Sequence, residues 1–200
     1  MIVHNGNIVV NNGRWIIPPV PPVPPTPPGP SFDEVTIGTQ TWMSKNLAID
    51  DGGEGIKTYD FTNDPVLSSL GIQYYYTKEA AQRVANSIEG WHLPLVAEWQ
   101  TLINYIGQPQ AGTKLKSTFG WYNNGNGTDD YGFNALPVGN YSSTSSTELT
   151  NLYKETSFQS DNELHQASLR ALVWNQDYIT QVSDGGMPRR LYSVRLIKDS

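Results

Sequence analysis

The sequence predicts an α+β fold with few helices, and three observations lead there. Two segments near the middle of the chain carry apolar residues at helical spacing, while the remainder reads as short apolar runs between Gly, Asn and Ser. The composition is 38% hydrophobic and 16% charged, with 18 Gly, 6 Trp and 11 Tyr, which suits a turn-rich fold packed on aromatic rings rather than a bundle. Helices grouped in the first half with strands around them, instead of strand and helix in alternation, point to α+β. A chain of 200 residues has room for one ordinary domain plus a tail.

The elements follow in order. "NGNIVVNNGRWII" sets short apolar runs between Asn-Gly pairs at Asn5-Gly6 and Asn12-Gly13, which favour tight turns through positive φ. This predicts a small β segment over residues 1–17, marginal alone and expected to dock on a partner or on copies of itself. "PPVPPVPPTPPGP", residues 18–30, predicts a polyproline II spacer of roughly 40 Å at ~3.1 Å per residue. A ligand for an aromatic-grooved adaptor domain is the other reading of that run. Residues 31–200 then form the globular part. "VTIGTQTWM" alternates β-branched and polar residues about a Gly and reads as a hairpin. "TKEAAQRVANSI" reads as a helix capped by Thr77, with Ala80, Ala81, Val84, Ala85 and Ile88 on one face. "SIEGWHLPLVAEWQTLINYIG", Ser87 to Gly107, holds a second helix, begun at Pro94, ended before Gly107 and striped by Val96, Trp99, Leu102, Ile103 and Ile106. Beyond it lie short strands and long Gly/Asn/Ser loops.

Several chemistries drop out. The net charge is -6 and the 13 Lys and Arg are scattered, so there is no basic footprint for a phosphate backbone and nucleic-acid binding is not expected. With no cysteine, thiolate zinc sites, disulfides and thiol nucleophiles are excluded. The first residues lack the basic and apolar regions of a signal peptide, and nowhere are there ~18 uninterrupted apolar residues, so no membrane insertion is expected. No Ser-His-Asp order, phosphate-binding loop or dinucleotide fingerprint is visible. His92 and Glu98 lie six residues apart, a spacing that sets side chains on nearly opposite helix faces, and Pro94 leaves His92 outside the helix. They are expected to be structural, with Glu98 pairing an Arg or backbone amides. His4, His92 and His165 are too dispersed for a metal cluster. "NNGNGTDDYG", Asn123 to Gly132, offers oxygen ligands but lacks a spaced calcium loop, and reads as turns. No metal and no cofactor are expected.

Taken in order and spacing, "VTIGTQTWMSKNLA", "YYYTKEAAQ", "GWHLPLVAEWQTLINYIG", "KLKSTFGW", "YGFNALPVGNY" and "YSVRLIKD" resemble a Fibrobacter succinogenes major paralogous domain over about residues 34–199. The resemblance implies a C-type-lectin-like fold: two helices flanking a small antiparallel sheet in which the termini meet, and long irregular loops. More distantly, "LPLVAEW" and "YGFNALPVGNY" are similar to sulfatase-modifying proteins of that fold, whose generating enzymes rely on a cysteine pair that this chain lacks. "GQPQ" and "WNQD" only half resemble the motifs of calcium-dependent sugar-binding lectins.

Domains of this kind also serve as variable proteins of diversity-generating retroelements, with rewritten codons on the exposed face and a fixed closing strand, here Tyr192 to Asp199. The resemblance therefore implies a non-enzymatic ligand-binding, receptor-recognition protein on a phage tail fibre or a bacterial cell surface. Its partner would be a cell-surface protein or glycan, and the N-terminal segment could assemble a homo-oligomer such as a trimer. A bacterial adhesin or polysaccharide-binding module is the alternative, and an enzyme related to the sulfatase-modifying proteins a third reading. The candidate face precedes the closing strand, with His165, Arg170, Trp174, Tyr178 and Arg190 as anchors. Asn162, Glu163, Gln166, Asn175, Gln176, Asp177, Gln181 and Asp184 would supply polar contacts, with Tyr192 at the strand's start. Trp174 could equally be a core residue after "ASLRALV". Arg195 is expected in an internal ion pair. "FQSDNE" replaces a Trp-Ser-Ser-Thr-like run near Phe158, which leaves the local strand pairing open.

Overall fold

The structure, a computed structural model, describes residues 2–4, 7–11, 14–15, 30–161, 168–183 and 189–199. At the N-terminus β1 (Ile2–His4), β2 (Asn7–Asn11) and β3 (Arg14–Trp15) pair antiparallel in that order. The two Asn-Gly turns and the Pro-rich run at 18–29 lie outside the described residues.

The "VTIGTQTWM" hairpin is β4 (Glu34–Ile37) and β5 (Gln40–Met43), turning at Gly38, whose φ of 65° requires the missing Cβ. A second hairpin joins β6 (Ile56–Asp60) to β7 (Ile72–Tyr76). Then comes α1 (Lys78–Ala85), where Thr77 Oγ1 accepts the Ala80 N–H at 3.3 Å and Ala80, Ala81, Val84 and Ala85 are buried. After β8 (Trp91–His92) runs α2 (Val96–Ile106). It starts two residues later than Pro94 predicts, because Leu95 keeps extended dihedrals as N-cap. Trp99, Leu102, Ile103 and Ile106 are its buried stripe, and Val96 is only half-buried. A third, unpredicted helix, α3 (Ala111–Leu115), follows.

The second half supplies β9 (Asn140–Tyr141), β10 (Leu149–Thr150), β11 (Glu155–Ser160), β12 (Ser168–Val173), β13 (Thr180–Ser183) and β14 (Ile197–Lys198). The sheets are small and antiparallel: β9 with β10, β11-β12-β13, β6 with β7, and a four-stranded sheet in the order β4-β5-β14-β8. The last strand thus sits between two early ones, Ile197 opposite both Trp42 and His92. Within "FQSDNE", Phe158 to Ser160 stay in strand β11, Phe158 opposite Arg170 and Ser160 opposite Ser168, and Asn162 and Glu163 lie outside the described residues.

The largest core cluster is aromatic. The Trp42 and Trp99 rings lie 4.8 Å apart, Phe133 is 6.0 Å from each, and Phe158 stacks on Trp99 at 5.8 Å. Such pairs add about 0.5–1.5 kcal/mol each beyond area burial. Arg195 is inserted beside them, 1% exposed, its guanidinium 4.5 Å above the Phe133 ring. The expected ion pair is absent among the described residues. Instead the fork donates to Asn46 Oδ1 at 2.9 Å, to the carbonyls of Met43 at 3.3 Å and Asn134 at 3.1 Å, and to that of Phe133. Burial pushes its pKa down to about 9. Main-chain oxygens can hold a buried cation here because β5, β14 and the 133–134 loop converge on one point.

Candidate functional site

His92 and Glu98 do meet, against the spacing argument. His92 belongs to β8 and the chain turns at Pro94–Leu95, so the first turn of α2 folds back over it and helical spacing does not apply. His92 Nε2 lies 2.9 and 3.0 Å from the two Glu98 oxygens, and Nδ1 lies 2.6 Å from Asp199 Oδ1. Glu98 Oε2 also accepts the Leu95 N–H at 2.7 Å, half of a capping box that Leu95 cannot complete. Burial alone would lower the His92 pKa, but the two carboxylates prevail and raise it. With a carboxylate on each ring nitrogen, neither is left to deprotonate a nucleophile, and the group acts as a clasp between β8, α2 and the end of β14. Among the described residues no three His, Cys, Asp or Glu side chains come together as a metal site. In "NNGNGTDDYG" the oxygens serve the fold: Asn126 Oδ1 accepts the Trp121 N–H at 3.0 Å and Asp129 Oδ1 the Asn134 N–H at 2.6 Å.

The segment before the closing strand builds a different feature. In the β11-β12-β13 sheet side chains alternate between two faces. Phe158, Leu172 and, at the sheet end, Trp174 join the aromatic core. The opposite face, where Ser157, Ala171 and Thr180 stand in register and Leu169 opposes Val182, is the floor of a cleft of about 450 Å³. Its walls include Asn140, Thr150, Asn151, Glu155, Gln176, Arg190 and Tyr192, with residues 190–192 brought beside β9 by the pairing of Leu191 with Tyr141. Glu155 Oε1 accepts from Ser157 Oγ at 2.6 Å and Oε2 from Asn151 Nδ2 at 2.8 Å. Thr150 Oγ1 donates to Asn140 Oδ1 at 2.9 Å, and Thr180 Oγ1 to Gln176 Oε1 at 2.9 Å. The arrangement is a concave surface with an apolar floor and polar walls, suited to binding.

Of the residues predicted from sequence, Gln176, Arg190 and Tyr192 line this cleft. Two corrections concern exposure. Arg170 is 2% exposed, on the core face of β12, donating to the Leu169 carbonyl at 3.2 Å. Tyr192, expected at the surface, is 3% exposed. Gln181 stands in register with Arg170, on the face away from the cleft. Trp174 is half-buried, packed on the core and edge-on to Tyr122 at 5.3 Å. Asn175, Asp177 and Tyr178 are exposed in the turn after β12. Asn162, Glu163, His165, Gln166 and Asp184 lie outside the described residues.

That turn is held from below. Lys116 Nζ donates to the carbonyls of Val173 at 3.3 Å and Gln176 at 3.1 Å, and Thr113 Oγ1 donates to Asp177 Oδ1 at 2.9 Å. A Cβ on Gly112 would lie 2.8 Å from the carbonyl oxygens of Asp177 and Tyr178, and one on Gly125 2.2 Å from that of Trp174. Sequence reasoning missed Asn140, Thr150, Glu155 and Ser157, which reach the cleft only through strand pairing. The alternation of apolar residues in "SLRALV" was the available signal for the floor.

A family model described as Fibrobacter succinogenes major domain matches residues 35–198. No curated protein and no solved structure matches the chain.

Proposed function

The chain belongs to the Fibrobacter succinogenes major domain family, and on that premise we propose that it is a non-enzymatic recognition protein whose ligand enters the cleft over β11, β12 and β13. The observation that carries this reading is the coincidence of two things found separately. The segment that the family resemblance marks as variable, before the closing strand, contributes the floor and part of the walls of a cleft of about 450 Å³, a size typical of ligand sites. A mixed α+β body with small antiparallel sheets and the pairing of β14 beside β5 support a C-type-lectin-like fold. In this reading the scaffold is fixed by the aromatic core and the carbonyl cage of Arg195, and the loops above it are free to vary at little cost.

The protein is then the variable protein of a retroelement, carried on a phage tail fibre or a bacterial cell surface, with residues 1–17 assembling it and residues 18–30 holding the domain away from the assembly. Gene sequences from several isolates test the reading. Substitutions are expected to concentrate in codons 162–192 and to trace back to adenines. Substitutions scattered evenly along residues 31–200 would overturn diversification and leave a fixed surface adhesin.

A further inference from the structure

Several acceptors of the cleft are already filled. Both carboxylate oxygens of Glu155 already hold donors, and the side-chain carbonyls of Asn140 and Gln176 each hold a threonine hydroxyl. Three donor groups are not. Asn140 is 5% exposed, and its Nδ2 donates to no acceptor among the described residues, nor does Gln176 Nε2. Arg190 has no carboxylate within ion-pair distance among the described residues, and its Nε is buried without a partner. Two amide donors and a guanidinium that no carboxylate of the described residues pairs therefore share one cleft, in a chain whose net charge is -6.

Unpaired donors in a partly dry site favour a ligand rich in acceptors, and an unpaired guanidinium favours an anion, best a carboxylate that its planar fork can grip. Size narrows the choice further. A cleft of about 450 Å³ takes a small unit, whereas a folded protein partner needs roughly 800 Å² of surface per side. The apolar strip of Leu169, Ala171, Val173 and Val182 offers a floor for the C–H face of a sugar ring, and the hydroxyls and amides of the walls match its oxygens.

We infer that the cleft takes a carboxylated sugar, a uronate-type unit of an acidic glycan, with Arg190 at the carboxylate and Asn140 and Gln176 donating to ring or hydroxyl oxygens. This rests on the reading of the cleft as the ligand site. Calorimetric titration of the full chain with a galacturonate tetramer, the neutral galactose tetramer and a tetraglutamate peptide tests it, with Arg190→Gln and the cleft-filling Val182→Trp and Thr150→Trp as variants. Val182 in the floor and Thr150 in the wall are both exposed, so a tryptophan there can be accommodated, and an unchanged melting temperature checks folding.

The galacturonate tetramer is expected to bind about tenfold tighter than the neutral one, a preference of about 1.4 kcal/mol, with affinity falling as salt rises. Arg190→Gln should abolish the preference, and either tryptophan should abolish binding of both sugars. Equal binding of the two tetramers, an Arg190→Gln variant that keeps the preference, tighter binding of tetraglutamate, or no sugar binding overturns the ligand class. If the tryptophan variants leave binding of every probe unchanged, the cleft is not the site and the underlying reading falls instead.

Discussion

Replacing Arg195 removes a cation whose donors satisfy three buried carbonyls and Asn46, so Arg195→Met should cost about 3 kcal/mol or more of unfolding free energy in urea. Arg195→Lys should recover only part, because an ammonium cannot fork to the same four oxygens. His92 gives a pH signature instead. Its pKa is raised in the folded state, so the clasp's contribution is complete below the unfolded value of about 6.5 and is lost as pH rises through the folded value. The side chain is 35% exposed and Asp199 58%, which keeps the effect to at most ~1 kcal/mol. The stability difference between wild type and His92→Gln, measured by urea unfolding from pH 5 to 9, should therefore shrink as pH rises. A difference that grows would contradict the clasp. His92 also marks a limit of sequence reading: its partner Asp199 lies at the far end of the domain, and no local spacing announces it.

The elements that could be read from sequence are those whose own period reports their burial. The β4–β5 hairpin and helices α1 and α2 came from alternation and helical spacing, which local side-chain direction imposes. Helix α3 has five residues, a single turn too short to show a period. The cleft was half-legible: the floor shows in the alternation of β12, whereas its walls come from β9, β10 and residues 190–192, brought together only by pairing. Two predictions belong here. Leu95 is 40% exposed with extended N-cap dihedrals, and Glu98 already supplies the reciprocal half of a capping box, so Leu95→Thr should add about 0.5–1 kcal/mol, read as a higher melting temperature. Gly125→Ala forces a Cβ to within 2.2 Å of the Trp174 carbonyl oxygen. It should destabilise by about 1–3 kcal/mol and shift tryptophan emission as the turn at 174–178 is displaced.

For the whole molecule, the α+β class followed from the grouping of patterns along the chain, and the meeting of the domain's ends appears as β4 and β14 in one sheet. A three-stranded sheet as small as that of β1, β2 and β3 is marginal in water on its own. Residues 31–200 alone are therefore expected to melt within a few degrees of the full chain and to run as a monomer in light scattering, while the full chain runs as an oligomer. A monomer in both would remove the assembly role of residues 1–17.

The position of β14 also carries a kinetic consequence. Because Ile197 is zipped between Trp42 and His92, the central sheet has a gap until the last strand of the domain is available, and closing it joins segments separated by most of the domain's length. Long-range closure of this kind slows folding. During synthesis β5 and β8 would wait with unpaired edges while the intervening chain is made, a state open to mispairing with other chains. Removing residues 197–199 should accordingly leave a collapsed but open species that aggregates, and refolding of the intact domain should be limited by the docking of one short strand.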